Sequence, residues 1–393
     1  MATSFDCDVI VIGAGAAGVA VARVLENSGL SVRLLEKAER AGASWWMRYD
    51  GLRLNTTRWL SDLPLTRMPA RYGRWPHRQD WAAYIEDYAA TLGDTAFGVT
   101  AQRLNKKSAG WLVQTDIGAM SARFVVVATG HDRVPQIPKW SGVQSYSGTL
   151  IHSSQYGRAQ DFRGQKILVV GTGNSGVEIA TLLADEPSTQ VSLSVRSPPL
   201  LLKREIGGIP VTVLAEIGRF LPDAVLDFVG LSAHRWMWQN LAPYGLGDTA
   251  KRLSTMRHTY YSPPLDSGFA AAVQRGAIHL RSAIAGFDGA AVIFETGGSD
   301  AFDVVIAATG FRPGLEHLVG HLGVLDDYGE PAVTAGAQHP AAAGLFFAGF
   351  RFGLFALLPY LEGDARAIAL AVSGHAPRLW TLRRILKLPL LAP

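Results

Sequence analysis

Two stretches in which an apolar strand runs into a glycine-rich turn and then a helix predict an α/β chain built twice on one plan. The first is "DVIVIGAGAAGVAVARVLENSG", Asp8 to Gly29, and the second is "KILVVGTGNSGVEIATLLAD", Lys166 to Asp185. A third observation joins them: "ARFVVVATGHDRVPQIP" (Ala122 to Pro138) and "AFDVVIAATGFRPG" (Ala301 to Gly314) match each other. Each reads as a buried strand ending in Ala-Thr-Gly. The fold expected is two Rossmann-like, three-layer dinucleotide-binding domains, the second inserted into the first.

In the first stretch, Val9 to Ile12 make a short β-rich run, and Gly13, Gly15 and Gly18 give G-x-G-x-x-G around Ala16 and Ala17. Gly13 permits the tight turn, Gly15 lets the backbone reach a pyrophosphate, and Gly18 lets helix and strand pack closely. The phosphates then sit at the helix N-terminus. A second strand, "SVRLLEK", ends in Glu36 and Lys37, with Glu36 18 residues after Gly18. A carboxylate there accepts ribose hydroxyls and repels a 2′-phosphate, so this cradle is expected to hold FAD or NAD rather than NADP.

The second stretch repeats the pattern with Gly171, Gly173 and Gly176 around Asn174 and Ser175, followed by the strand "TQVSLSVRS". That strand ends in Arg196 and Ser197 instead of an acid. A guanidinium takes a 2′-phosphate bidentately, so NADPH is expected, with Lys203 and Arg204 as added charge. An ordinary exposed arginine at a strand end is the competing reading. One cradle thus suits a bound flavin and the other its reductant.

The matched segments, with Ala128, Thr129 and Gly130 in one and Thr309 and Gly310 in the other, read as crossings between domains. The expected division is a flavin domain over 1–157, an inserted nucleotide domain over 158–302, and the flavin domain again with the tail over 303–393. The flavin domain closes on "GLFFAGF", whose Gly349 and Phe350 are candidate flavin contacts, and then on a helix whose N-terminus would face the flavin.

The totals agree with two domains. The chain has 393 residues, 48% hydrophobic and 18% charged, with 42 Gly and ten Trp. Its net charge is +4, from 37 basic and 33 acidic residues, and it has no polybasic run, so nucleic acid is not an expected partner. The one cysteine, Cys7, leaves no redox-active pair and no thiolate metal cluster. Electrons passed to a cysteine pair are excluded on that ground. An external acceptor or dioxygen remains. No leader-like start and no apolar run of about 18 residues is seen, and a cytoplasmic location is expected.

Between Tyr146 and Tyr156 the chain reads "YSGTLIHSSQY". This resembles the F-x-G-x-x-x-H-x-x-x-Y signature of the flavin-containing monooxygenases, with Tyr146 in place of Phe and the following basic residue shifted to Arg158. "GASWW…YDGLRLNTTRWLSDLP", "RWPHRQDWAAYIEDYA", "SVRSPPLLLKRE" and "YYSPPLDSG" are similar to segments of the YUCCA-type enzymes and their bacterial homologues. The resemblance spans most of residues 8 to 373 and implies a class B flavin-dependent monooxygenase. In that family NADPH reduces FAD, and the reduced flavin adds O2 as a C4a-(hydro)peroxide. That species oxygenates an amine or thioether, or decarboxylates an aromatic 2-oxo acid. Water exclusion and preorganisation are then the protein's task. The alternatives are an NAD(P)H-dependent FAD reductase with an external acceptor and a flavin-binding sensor without turnover.

The resemblance places Asn55 near the reacting edge of the flavin, as the one candidate catalytic residue, although YUCCA-type enzymes differ there. An Asx turn is the other reading. Arg58 stands where relatives carry a lysine. Gly42, Ser44, Trp45 and Trp46 follow the ribose acid, where a glycine admits a pyrophosphate and an aromatic can cover the flavin; a Trp-rich core is the bland account. His152 is expected to be a structural hydrogen-bonding residue that links the domains.

The apolar helical segment 205–262 would shape a substrate pocket or simply pack its domain. Phe352, Phe355, Leu357, Leu358 and Tyr360 would wall a small lipophilic substrate or belong to the core. The tail "PRLWTLRRILKLPLLAP" is basic and amphipathic. A membrane surface would suit it, but such tails more often dock on their own domain or on a second subunit, as in a homodimer.

Overall fold

The computed structural model describes residues 4–257, 259, 262–351 and 357–374. Phe352 and Phe355 of the expected wall, and the basic tail, lie outside the described residues.

The first glycine turn connects β1 (Cys7–Ile12) to α1 (Ala16–Asn27), and β2 (Val32–Glu36) follows. After the short α2 (Ala43–Trp46) and the longer α3 (Arg78–Ala89) come β3 (Thr95–Phe97), β4 (Ala101–Lys107), β5 (Gly110–Thr115) and β6 (Gly118–Val127). The sheet order is β3-β2-β1-β6-β5-β4. β6 has two uses. Its first half pairs antiparallel with β5, and its second half runs parallel to β1, from Ala122 beside Cys7 to Val127 beside Ile12. Strand Leu345–Phe347 pairs parallel with β6 on the other side.

The run "VIVI" lacks polar alternation because both faces of β1 are covered, as in parallel sheets generally. Val9 and Val11 face a core that includes α1 and the closing helix Leu361–Ser373. Ile10 and Ile12 face the opposite core, with Leu315, Leu318 and Phe347. These are three layers from one strand's alternation.

The second sheet repeats this, after the two-residue β7 (Val134–Pro135) and β8 (Thr149–His152). Its centre is β9 (Lys166–Val170), followed by α4 (Asn174–Ala184) and β10 (Gln190–Ser194). All its strands are parallel, in the order 278–281, β10, β9, 304–307, β8. Ile167 and Val169 pack under α4, and Leu168 and Val170 face the other side. β8 precedes residue 158 and strand Val304–Ala307 follows residue 302, yet both pair in this sheet. The sheet therefore draws on chain outside the span 158–302. A strand that ends in Ala-Thr-Gly belongs beside the strand that opens its own cradle, and this applies to 304–307 as it does to β6.

The two crossings run side by side. β7 pairs antiparallel with Phe311–Arg312, and the Gln136 amide donates to the Gly310 carbonyl at 3.0 Å. The described residues of segment 205–262 include helices Val211–Gly218 and Asp223–Trp238 with a 3-10 extension, Gln239–Tyr244.

Candidate active site

Both cradles are closed by a carbonyl from the neighbouring strand. Gly13 has φ +104°, and a Cβ on it would stand 2.7 Å from the Ala128 carbonyl oxygen. Gly171 has φ +112°, and a Cβ there would stand 2.5 Å from the Ala308 carbonyl oxygen. In each turn a Cβ on the third glycine, Gly18 or Gly176, would overlap the carbonyl oxygen of the first. The middle glycines differ: a Cβ on Gly15 or Gly173 meets nothing within 4 Å. Only the middle position is bare toward open space, where a ligand's phosphates would lie, so the two turns fit dinucleotides. This also accounts for the two Ala-Thr-Gly segments, which supply the third wall of each cradle.

A cavity of about 310 Å³ lies over the first turn. Of the expected flavin contacts, Gly13, Gly15, Ala16, Ala17, Glu36 and Lys37 line it. So do Ser44 and Trp45 from α2, Ala128, Thr129 and Gly130 after β6, and Gly349. The Glu36 carboxylate accepts from the Ala14 amide at 2.7 Å and the Ala38 amide at 3.0 Å, which holds it at the mouth of the turn. Leu357 and Leu358 reach the same cavity, with Leu361 from the closing helix. Trp45 meets Trp81 edge-on, ring centroids 6.1 Å apart.

Other expected contacts are not at this cavity. Trp46 stacks under the Arg40 guanidinium at 4.2 Å. Arg58 donates to the Met68 carbonyl at 3.1 Å. Phe350 is buried against Phe347 in the core. Gly42 takes φ +65° and donates its amide to the Ala14 carbonyl, supporting the turn from behind. Tyr360 lies under the Arg351 guanidinium at 5.8 Å.

Asn55 sits at the second cradle. Its amide donates to the Asn174 side chain at 3.1 Å, and its oxygen accepts from Arg204 at 3.3 Å. Asn174 in turn donates to the Ser262 hydroxyl at 2.8 Å. Arg204 thus meets Asn55 at this cradle and lies over the Trp75 ring, 5.0 Å away. Lys203 lies over the Trp238 ring at 5.6 Å. Lys251 lies near enough to exposed Arg196 for the arginine's charge to add to burial in lowering the lysine's pKa. Nothing in spacing marked it, 55 residues further along the chain. Ser197 offers its carbonyl to the Thr172 hydroxyl at 3.4 Å.

Sequence reasoning also missed a charged cluster on the cavity wall: Arg48, His131 and Asp132. Arg48 pairs with Asp132 at 2.7 Å, and His131 lies 2.8 Å from Glu330 and 3.4 Å from Asp132. Burial works to lower the His131 pKa, but the two carboxylates outweigh it and raise it to about 8. His152 is buried, with Nε2 on the Gly310 carbonyl, and packs edge-on against Phe311 at 4.7 Å. Thr309 donates its hydroxyl to the Gln136 carbonyl.

Comparison with known proteins agrees with this architecture. Residues 10–205 match the family described as pyridine nucleotide-disulphide oxidoreductase. The indole-3-pyruvate monooxygenase YUCCA1 of Oryza sativa subsp. japonica is 32% identical over 310 residues, covering 77% of this chain and 76% of the relative. A flavin-containing monooxygenase from Stenotrophomonas maltophilia shares the fold with a TM-score of 0.68 at 24% identity, over 92% of this chain and 98% of that one. OTEMO, solved in complex with FAD and NADP, has a TM-score of 0.72 at 17% identity, over 95% and 86% of the two chains. The chain belongs to the class B flavin-dependent monooxygenases, the family of the flavin-containing monooxygenases and the YUCCA enzymes.

Proposed function

We propose that this protein is an NADPH- and O2-dependent, single-component flavin monooxygenase that holds FAD at the first glycine turn and NADPH at the second. The observation that carries the reading is the pair of cradles with different strand ends, Glu36 at one and Arg196 at the other. FAD, when bound, supplies the hydride acceptor and the site of dioxygen activation. The chain's own residues bind, orient and exclude water. Gly13, Gly15 and Gly18 admit the FAD pyrophosphate, Glu36 faces the ribose, and Ser44, Trp45, Thr129 and Gly349 line the cavity it fills. Asn174 and Ser175 open α4 at the nucleotide phosphates, Arg196 and Lys251 take the 2′-phosphate, and Asn55 stands at the second cradle against Asn174.

The substrate proposed is a small lipophilic molecule, an aromatic 2-oxo acid ahead of an amine or thioether. Leu357, Leu358 and Trp45 supply an apolar wall on the cavity, and the rice relative is named for indole-3-pyruvate. The inserted unit is proposed to run from about β8 to the end of strand 304–307, wider than 158–302. A cytoplasmic, homodimeric protein belongs to the same proposal. No helix among the described residues is long and apolar enough to cross a membrane.

The test is product analysis. Flavin-loaded protein is incubated with NADPH in air, with indole-3-pyruvate, a thioether and a tertiary amine in separate reactions. Indole-3-acetate formed in step with NADPH oxidation supports the oxo-acid reading. A sulfoxide or N-oxide instead would transfer it to the other substrates. NADPH oxidation that needs an added quinone and leaves all three compounds intact would replace the monooxygenase with a reductase.

A further inference from the structure

The segment joining α2 to residue 55 leaves the flavin cavity and lies along the nucleotide helix. At its start, Met47 and Arg48 line the cavity. The next residue is Tyr49, whose hydroxyl, buried in the core of the second unit, donates to Glu178 Oε2 at 2.7 Å. The Ser175 side chain and the Arg53 backbone amide lie near this pair and lower the pKa values of Tyr49 and Glu178 against the larger effect of burial. Gly51, with φ +87°, lies so close that a Cβ on it would stand 2.9 Å from Leu182 Cδ2. Asn55 then meets Asn174 at 3.1 Å.

The positions gripped, 174, 178 and 182, recur every four residues and so form one face of α4. The other side of the segment is fixed to the first unit by Arg78, which donates to the Trp46 carbonyl at 2.7 Å and pairs with Asp50. Residues 47–55 are therefore a strap, tied to the start of α3 and laid along α4. Ser175 belongs to the glycine turn expected to hold the nucleotide phosphates. A shift of α4 has a short route to the flavin wall, through the Glu178–Tyr49 hydrogen bond and along the chain to Arg48 and Met47.

We propose that Tyr49 and Glu178 are positioning residues of the reaction: their hydrogen bond makes the strap transmit nucleotide occupancy at α4 to the flavin cavity. This rests on the assignment of FAD and NADPH to the two cradles. Neither residue is assigned contact with the reacting atoms. Their part is to set the flavin wall according to whether α4 carries its ligand.

NADP+ does not reduce or oxidise the bound flavin, so the coupling is readable without turnover. Flavin-loaded wild type, Tyr49→Phe, Glu178→Gln and Glu178→Leu are titrated with NADP+, following the visible flavin band, while calorimetry records NADP+ binding independently. The wild-type band shifts on binding. Tyr49→Phe and Glu178→Leu still take up NADP+, but the band shift is lost; Glu178→Gln, which keeps an acceptor oxygen for Tyr49, retains part of it. A full band shift in Tyr49→Phe or Glu178→Leu overturns the proposal. So does a Glu178→Gln protein no better than Glu178→Leu, or a Tyr49→Phe protein that has lost NADP+ binding itself. Wild type that gives no heat with NADP+ overturns the assignment of the second cradle, and the strap's role with it.

Discussion

His152 Nε2 lies 3.0 Å from the carbonyl oxygen of Gly310, and its Nδ1 accepts from the Ser154 amide at 3.1 Å. The ring is thereby held neutral, donating from Nε2, between β8 and the second Ala-Thr-Gly turn. Both ring nitrogens are engaged with the protein, so the histidine of the Gly148-His152-Tyr156 motif is a strut.

His152→Ala is expected to destabilise the fold by about 1–3 kcal/mol, because it leaves the Gly310 carbonyl short of a donor. Per folded molecule, NADPH oxidation stays close to wild type. Burial sets the ring's pKa below its ordinary 6.5, the Gly310 hydrogen bond opposing. The unfolded chain is then protonated first as pH falls. The stabilisation from His152 is complete above pH 6.5 and is lost as pH drops below it toward the folded value. Denaturant midpoints of wild type and His152→Ala, taken as a pH series, should converge on the acid side.

His131 carries the opposite sign. Its pKa is raised from 6.5 to about 8 by Asp132 and Glu330 against the effect of burial. Its contribution is complete below pH 6.5 and is lost as pH rises through about 8. A shift of that size corresponds to about 2 kcal/mol. His131→Asn should remove the alkaline-side loss between roughly pH 6 and 9 in denaturation curves, while Glu330→Gln should bring the imidazole pKa down in an NMR titration.

The glycines of each turn should separate by position. Gly18→Ala and Gly176→Ala place a Cβ on the carbonyl of the first glycine and should yield little folded protein. Gly15→Ala and Gly173→Ala meet no protein atom within 4 Å. They should fold with near-wild-type melting points yet lose their cofactor, Gly15→Ala its flavin and Gly173→Ala its NADPH. Flavin content after purification and NADPH binding by calorimetry check the two.

Arg196→Ala should raise the KM for NADPH roughly ten- to a hundredfold, the loss expected for one charge-assisted hydrogen bond. The KM for NADH should be unchanged. Lys251→Ala should move in the same direction. Steady-state kinetics with both reductants decide this, and an unchanged NADPH/NADH preference in Arg196→Ala would remove it from the 2′-phosphate.

The two sheets and their glycine turns were legible in the sequence because several local signals coincide: an unbroken apolar run, glycines at fixed offsets, a helix and a second strand with a diagnostic end. What was not legible depends on distance along the chain. Strand Val304–Ala307 reads like a return to the first sheet, but its carbonyl at Ala308 closes the turn at Gly171. Arg58, Trp46 and Phe350 have the right types beside the right motifs, and their side chains go to Met68, Arg40 and Phe347. Arg204 follows the strand-end Arg196 by eight residues, and its contacts with Asn55 and Trp75 come from residues far along the chain. Lys251 and the His131–Glu330 pair carry no motif, and only folding brings Lys251 near Arg196 and His131 onto Glu330.

The proposed function requires that bound flavin, reduced by NADPH, react with dioxygen in a cavity dry enough to hold the oxygenated form. The most direct measurement is rapid mixing. Flavin-loaded protein is reduced anaerobically with NADPH, mixed with aerated buffer, and followed by its visible spectrum. A long-lived spectrum distinct from both reduced and oxidised flavin, discharged on adding substrate, is the predicted result. Immediate return to oxidised flavin, or no reduction by NADPH at all, would contradict it.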